Sequence, residues 1–146
     1  SEATVFGVPI QEFGDPHEST EPMVGVKRDP QFGHLMMFGL GGIFVQVFDD
    51  TAFRVAPISE REAREMTEEI QAAPMLQGAR GRTPADVDGV VEIIQRISQL
   101  VTDFAAITEL DINPLVVSPE GVHAIDLRLT VDREALPVGK LRETDG

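Results

Sequence analysis

The chain has 146 residues, 42% of them apolar, no cysteine and a net charge of −13. That length fits one compact core and excludes two independent catalytic domains. So acidic a surface repels nucleic acid and anionic membranes, so neither is expected as a partner. Without cysteine any metal must be held by oxygen or imidazole.

The chain opens with an apolar stretch, Val5 to Phe13, followed by a polar loop, Gly14 to Glu21. Short strand-like runs come next, at Met23 to Lys27, Leu35 to Phe38, Ile43 to Phe48 and Ala52 to Ala56. Asp29-Pro30, a glycine cluster and Asp49-Asp50 separate them, and such short spacing predicts hairpins. Phe32 to Phe48 carries no Asp, Glu, Lys or Arg but is cut by Gly33, Gly39, Gly41 and Gly42, so it reads as strands and turns and not as a spanning helix. Ser59 with Glu62 spells a capping box, and Ala63, Met66 and Ile70 continue at helical spacing until Pro74, where the run is expected to end. A second helix is expected from Thr83, with Pro84 in its first turn and an apolar stripe of Val87, Val90, Val91, Ile94, Ile97 and Val101. Leu110 to Val117 and Val122 to Leu129 form a final hairpin around Ser118-Pro119-Glu120-Gly121, a type I turn signal. From Thr130 the sequence turns polar, so residues 1–129 read as the folded unit and 130–146 as a tail.

Three segments together resemble the nucleotide-binding subunit of ADP-forming acetate-CoA ligases, and the matching region of acyl-CoA synthetase domains fused to acetyltransferases. They are Val24-Gly25-Val26-Lys27-Arg28-Asp29-Pro30-Gln31-Phe32-Gly33, Met37-Phe38-Gly39-Leu40-Gly41-Gly42 and Glu109-Leu110-Asp111-Ile112-Asn113-Pro114-Leu115. Phe53-Arg54-Val55-Ala56-Pro57, Arg80-Gly81 and Ser98 to Phe104 link them in the same order. The resemblance implies an α/β fold of the ATP-grasp C-terminal type: a mixed, largely antiparallel sheet with two helices packed on one face. It implies a reaction in which acyl-CoA, ADP and phosphate become the free acid, CoA and ATP through an acyl phosphate and a phosphohistidine. ATP or ADP with Mg²⁺ is the implied nucleotide pair, and acetate or another short carboxylic acid the implied substrate. The implied partners are the remaining ATP-grasp lobe and the CoA-binding and phosphohistidine-bearing domains of a larger parent enzyme, so this chain alone is expected to be inactive. A noncatalytic domain that regulates a fused acetyltransferase or serves as an assembly surface is the alternative the resemblance leaves open. The chain departs from the family at Glu18 to Met23, where Pro22 removes a backbone donor, and at His34, which stands where a proline is expected.

In the related succinyl-CoA synthetases the residues matching Asn113 and Asp126 hold the nucleotide's Mg²⁺, and the carboxylate matching Asp111 faces the incoming phosphohistidine. A four-residue loop at Ser118 to Gly121 would set Asn113 opposite Asp126 and Asp111 opposite Arg128, all four on one face, because side chains alternate along a strand. Gly39, Gly41 and Gly42 can present backbone amides to phosphate, although a tight turn explains them equally well. Arg54 offers a planar fork that suits either phosphate or a nearby carboxylate. His17, His34 and His123 read as structural or surface residues, so the phosphohistidine is expected from another domain. No basic-then-apolar leader is visible and the expected compartment is the cytoplasm, with the acidic surface pointing to a salt-rich, halophilic one.

Overall fold

The computed structural model describes residues 20–40, 50–78, 81 and 83–135. The apolar opening stretch, His17, Gly41, Gly42, the Ile43 to Phe48 strand, Arg80 and residues 136–146 lie outside the described residues. The strands are β1 (Pro22–Asp29), β2 (Gly33–Leu40), β3 (Thr51–Val55), β4 (Ile107–Ile112), β5 (Leu115–Ser118), β6 (Gly121–Ala124) and β7 (Leu127–Val131). A five-stranded sheet runs in the order β3-β2-β1-β4-β7, and β5 and β6 form a separate two-stranded ribbon. Every pairing recorded among them is antiparallel. The helices are α1 (Glu60–Glu69), the short α2 (Ala73–Leu76) and α3 (Val87–Asp103).

The β1–β2 hairpin follows from its turn chemistry. Asp29 accepts the amides of Gln31 and Phe32 through one carboxylate oxygen, at 2.7 and 3.0 Å, and Gly33 supplies the positive φ of +94° that closes the turn. One face of the sheet is then covered by the helices. Ala52, Phe38, Val24 and Ile112 form a buried row across it, with Met36, Val26 and Leu110 in the next row on the same face. Ala63, Met66, Val90, Ile94, Ile97 and Val101 from α1 and α3 close the same core, so the stripe read from helical spacing is the stripe that packs.

The capping box at Ser59 forms as the sequence predicts, with Ser59 Oγ accepting the Glu62 amide at 3.1 Å. The helix ends at Glu69, earlier than expected, because Ile70 is extended and Asp50 accepts the amides of Gln71 and Ala72. Pro74 stands in the first turn of α2 instead of ending α1, where its missing N–H costs nothing. The second helix starts at Val87 and not at Thr83. Asp86 is its N-cap, accepting the Gly89 amide at 3.0 Å, while the amides of Ala85 and Asp86 are spent on Leu76 and Ser118 carbonyls at 2.9 and 3.0 Å. Those tertiary bonds hold the segment out of the helix. β7 continues through Thr130 and Val131, two residues past the expected end, because Thr130 pairs with Glu109 in the regular register and Val131 with Ile107 beyond a bulge between Ile107 and Glu109.

The final hairpin is one register but four strands. Pairs from Leu110 with Leu129 to Ser118 with Gly121 keep the alignment that the Ser118-Gly121 turn sets. Pro114 cannot donate, and at this point the ladder is interrupted, with only Asn113 N–H to Asp126 O (3.0 Å) and Ile125 N–H to Pro114 O (3.1 Å) crossing. Beyond it the strands continue as β5 and β6, tied by a bridge between Val117 and Thr20.

Candidate functional site

The face of the sheet turned away from the helices carries the candidate residues Asp111 and Gly39. Its central row is Phe53, Met37, Gly25, Asp111 and Arg128, one residue from each strand. The next row holds Thr51, Gly39 and Met23 on β3, β2 and β1. Asn113 and Asp126 extend the β4 and β7 edge of that region at the rung where the ladder breaks.

Asp111 is half-buried, and burial raises its carboxyl pKa above the ordinary aspartate value. The Arg128 guanidinium opposes that rise, while the charges of Asp126 and Glu109 add to it. Arg128 Nε lies 3.3 Å from Asp126 Oδ2, and the same residue stands directly opposite Asp111. Asn113 is exposed and Asp126 partly so, and the backbone bond between them holds the two residues opposite each other.

Gly25 and Gly39 shape the floor of the site. A Cβ on Gly25 would lie 3.0 Å from the terminal methyl of Met37, so the bare strand lets that side chain lie beside Asp111's row. A Cβ on Gly39 would meet the Asp50 carbonyl and Thr51 Oγ1, both at 3.1 Å. Gly39 is thus required by close packing of β2 on β3. Gly25 and Met37 were not among the candidates from sequence, although a glycine inside a strand is itself a signal of close approach.

Arg54 is not brought to this face. It shares a row with Met36 and Val26 on the helix side, where its fork donates to both oxygens of Glu69, at 3.1 and 3.0 Å. Of its two possible roles, pairing with a carboxylate is the one the structure realises. His34 is buried at 8% exposure with Nε2 2.7 Å from the Ile107 carbonyl oxygen, a structural position.

The donors available to a metal are the Asn113 amide oxygen and the carboxylates of Asp126 and Asp111, all hard oxygens of the kind Mg²⁺ takes. Among the described residues no three His, Asp or Glu side chains cluster as a self-sufficient cage. A cation here would complete its shell from water and ligand oxygens, the usual habit of protein-bound Mg²⁺. The residues fit the ion in that sense. Among the described residues no helix is long and apolar enough to cross a membrane.

This open-faced antiparallel sheet with helices on its other side is that of an ATP-grasp domain, and the chain belongs to the ATP-grasp domain family, which it matches over residues 1–131. It is 46% identical over 131 residues to the beta subunit of acetate-CoA ligase (ADP-forming) II of Pyrococcus furiosus, covering 88% of this chain and 55% of that protein. It is 42% identical over 132 residues to acetate-CoA ligase (ADP-forming) I of Archaeoglobus fulgidus, covering 90% of this chain and 19% of that protein. Its fold matches the dinucleotide-forming acetyl-coenzyme A synthetase 1 of Ca. Korarchaeum cryptofilum, solved with coenzyme A and Mg-AMPPCP, with a TM-score of 0.75 and 40% identity over 83% of this chain and 56% of that one. The chain therefore spans about half, or less, of the length of these relatives.

Proposed function

We propose that this chain forms one wall of the nucleotide site of an ADP-forming acyl-CoA synthetase, where a phosphoryl group passes between a phosphohistidine and ADP. The relatives named above support the reaction class. The observation that supports the site is the hairpin register, in which Asp111 stands opposite Arg128 and the Asn113 amide donates to the Asp126 carbonyl.

In this reading the Asn113 amide oxygen and the Asp126 carboxylate are the residues that would hold Mg²⁺ beside the nucleotide. Bound Mg²⁺ supplies neutralisation of the phosphate oxygens during transfer. Asp111 receives the imidazole of the incoming phosphohistidine and orients it by accepting the ring N–H, as a half-buried carboxylate among fixed strands is placed to do. The second ATP-grasp lobe, the CoA-binding domain and the histidine are supplied by other parts of the enzyme. A short carboxylic acid is the substrate, and the cytoplasm, where ADP and CoA are available, is the place of action.

The test is Asp126→Ala in the complete ligase, assayed for Mg²⁺-dependent ATP formation from acetyl-CoA, ADP and phosphate. Loss of at least about a hundredfold in kcat/KM is expected if a metal-holding carboxylate is removed. Wild-type activity in that variant would sink the assignment. The 146-residue chain alone is expected to give no turnover, and turnover by it would refute the division of the site between two lobes.

A further inference from the structure

Arg128 is left over by this account, yet it is the positive charge closest in effect to Asp111 among the described residues. We propose that Arg128 is an exchangeable counter-ion: without nucleotide its charge lies beside Asp126 in place of the metal's, and with nucleotide it turns its fork onto the phosphate oxygens. It thereby makes the site prefer metal and nucleotide together over a bare divalent cation. The inference rests on the nucleotide-site reading above.

Three features of the geometry carry it. Register puts Arg128 directly opposite Asp111, where Cβ atoms of facing residues lie about 4.5 to 5.5 Å apart. From there Nε reaches Asp126 Oδ2 at 3.3 Å, longer than a good charge-assisted bond. The guanidinium therefore holds the carboxylate assigned to the metal loosely, and its residue faces the one assigned to the histidine across the ladder.

Position makes it movable. β7 is an edge strand of the five-stranded sheet, so among the described residues no further strand flanks Arg128 on its outer side. Its side chain is 66% exposed and that of Asp126 is 42% exposed, the regime in which an ion pair adds little to stability and is readily broken. The other cations nearby are committed or displaced. Arg28 donates to the Ala105 carbonyl and pairs with Asp132, and Lys27 stands opposite Glu109, two residues along β4 from Asp111.

Electrostatics gives the two states opposite signs. A bare divalent cation arriving at Asp126 meets a guanidinium already in contact with the same oxygen, and must displace it against like-charge repulsion. A metal-bound nucleoside diphosphate brings its own anionic oxygens, on which a planar, two-pronged donor fits better than on one carboxylate oxygen. The charge therefore hinders one ligand and helps the other.

The experiment uses the complete ligase and two probes: Mn²⁺ alone, titrated by electron paramagnetic resonance, and ADP at saturating Mg²⁺, titrated calorimetrically. Arg128→Gln is expected to bind Mn²⁺ about fivefold more tightly and ADP about fivefold more weakly, the scale of one unit charge acting over about 4 Å in a wet site. Arg128→Lys keeps the charge without the fork, so it should keep Mn²⁺ binding weak and restore only part of the ADP affinity. Shifts of both ligands in the same direction, or of neither, overturn the proposal. Asp126→Ala separates the two levels of the reading. If it loses Mn²⁺ binding while Arg128→Gln changes nothing, the counter-ion role alone is refuted; if it binds Mn²⁺ like wild type, the metal assignment falls and this inference with it.

Discussion

Ser98 offers a clean test of how the helix layer is fastened to the sheet. It lies on α3 at 2% exposure, and its hydroxyl accepts the amide of Ile58 at 2.7 Å. Ile58, itself 6% exposed, belongs to the short segment that leads from β3 to the N-cap of α1. Replacing Ser98 by Ala removes the acceptor and leaves a buried N–H without a partner. That omission costs about 1 to 3 kcal/mol, partly offset by about 0.5 kcal/mol from the better helix propensity of alanine. A net loss of about 0.5 to 2.5 kcal/mol is expected. For a domain of this size that corresponds to a fall in Tm of roughly 2 to 10 °C. Urea unfolding followed by circular dichroism measures it, with the midpoint lowered and the m-value unchanged. Gln99→Ala, at the neighbouring exposed position whose side chain bonds Asp103 at 2.9 Å, serves as control and should cost only a few tenths of a kcal/mol. A Ser98→Ala variant within about 0.5 kcal/mol of wild type would show that the Ile58 amide finds another partner, and would refute the reasoning.

Two further outcomes follow from charge. The Arg54 fork holds the Glu69 carboxyl below the ordinary glutamate value of 4.5, so the pair's stabilisation is present above that pH and is lost as pH falls through the lowered folded-state pKa. Glu69→Gln should therefore cost about 0.5 kcal/mol near neutral pH, since the pair is partly exposed, and the gap from wild type should close below the ordinary glutamate value; a gap independent of pH would rule the ion pair out as its source. The net charge of −13 makes the surface self-repulsive, while the ion pairs among the described residues are exposed and lose little when screened. Thermal melts from low to multimolar KCl should show a rising midpoint, and a flat or falling one would remove the support for a halophilic setting.

What the sequence determined by itself were the features that depend on neighbours along the chain. The Ser59 and Glu62 capping box, the α3 stripe and the turn at Ser118 to Gly121 each rest on local spacing, and the turn alone fixed the pairing of Asp111 with Arg128 seven residues away. A register needs only a loop length, because each further pair follows from the last. The resemblance in the Glu109 to Leu115 segment likewise pointed to the family that the fold defines. Tertiary structure decided the rest. Asp86, not Thr83, caps α3 because Leu76 and Ser118 claim the amides before it, and neither partner is near in sequence. The hairpin splits into two sheets at Pro114 because a missing donor interrupts the ladder and the Val117–Thr20 bridge carries the strand elsewhere. Arg54 turned to Glu69 because alternation along β3 placed it under the helices, and which face the helices cover depends on the whole core and on no single strand. The chemistry-bearing residues were visible in the chain, but the face they share is a property of the packed sheet.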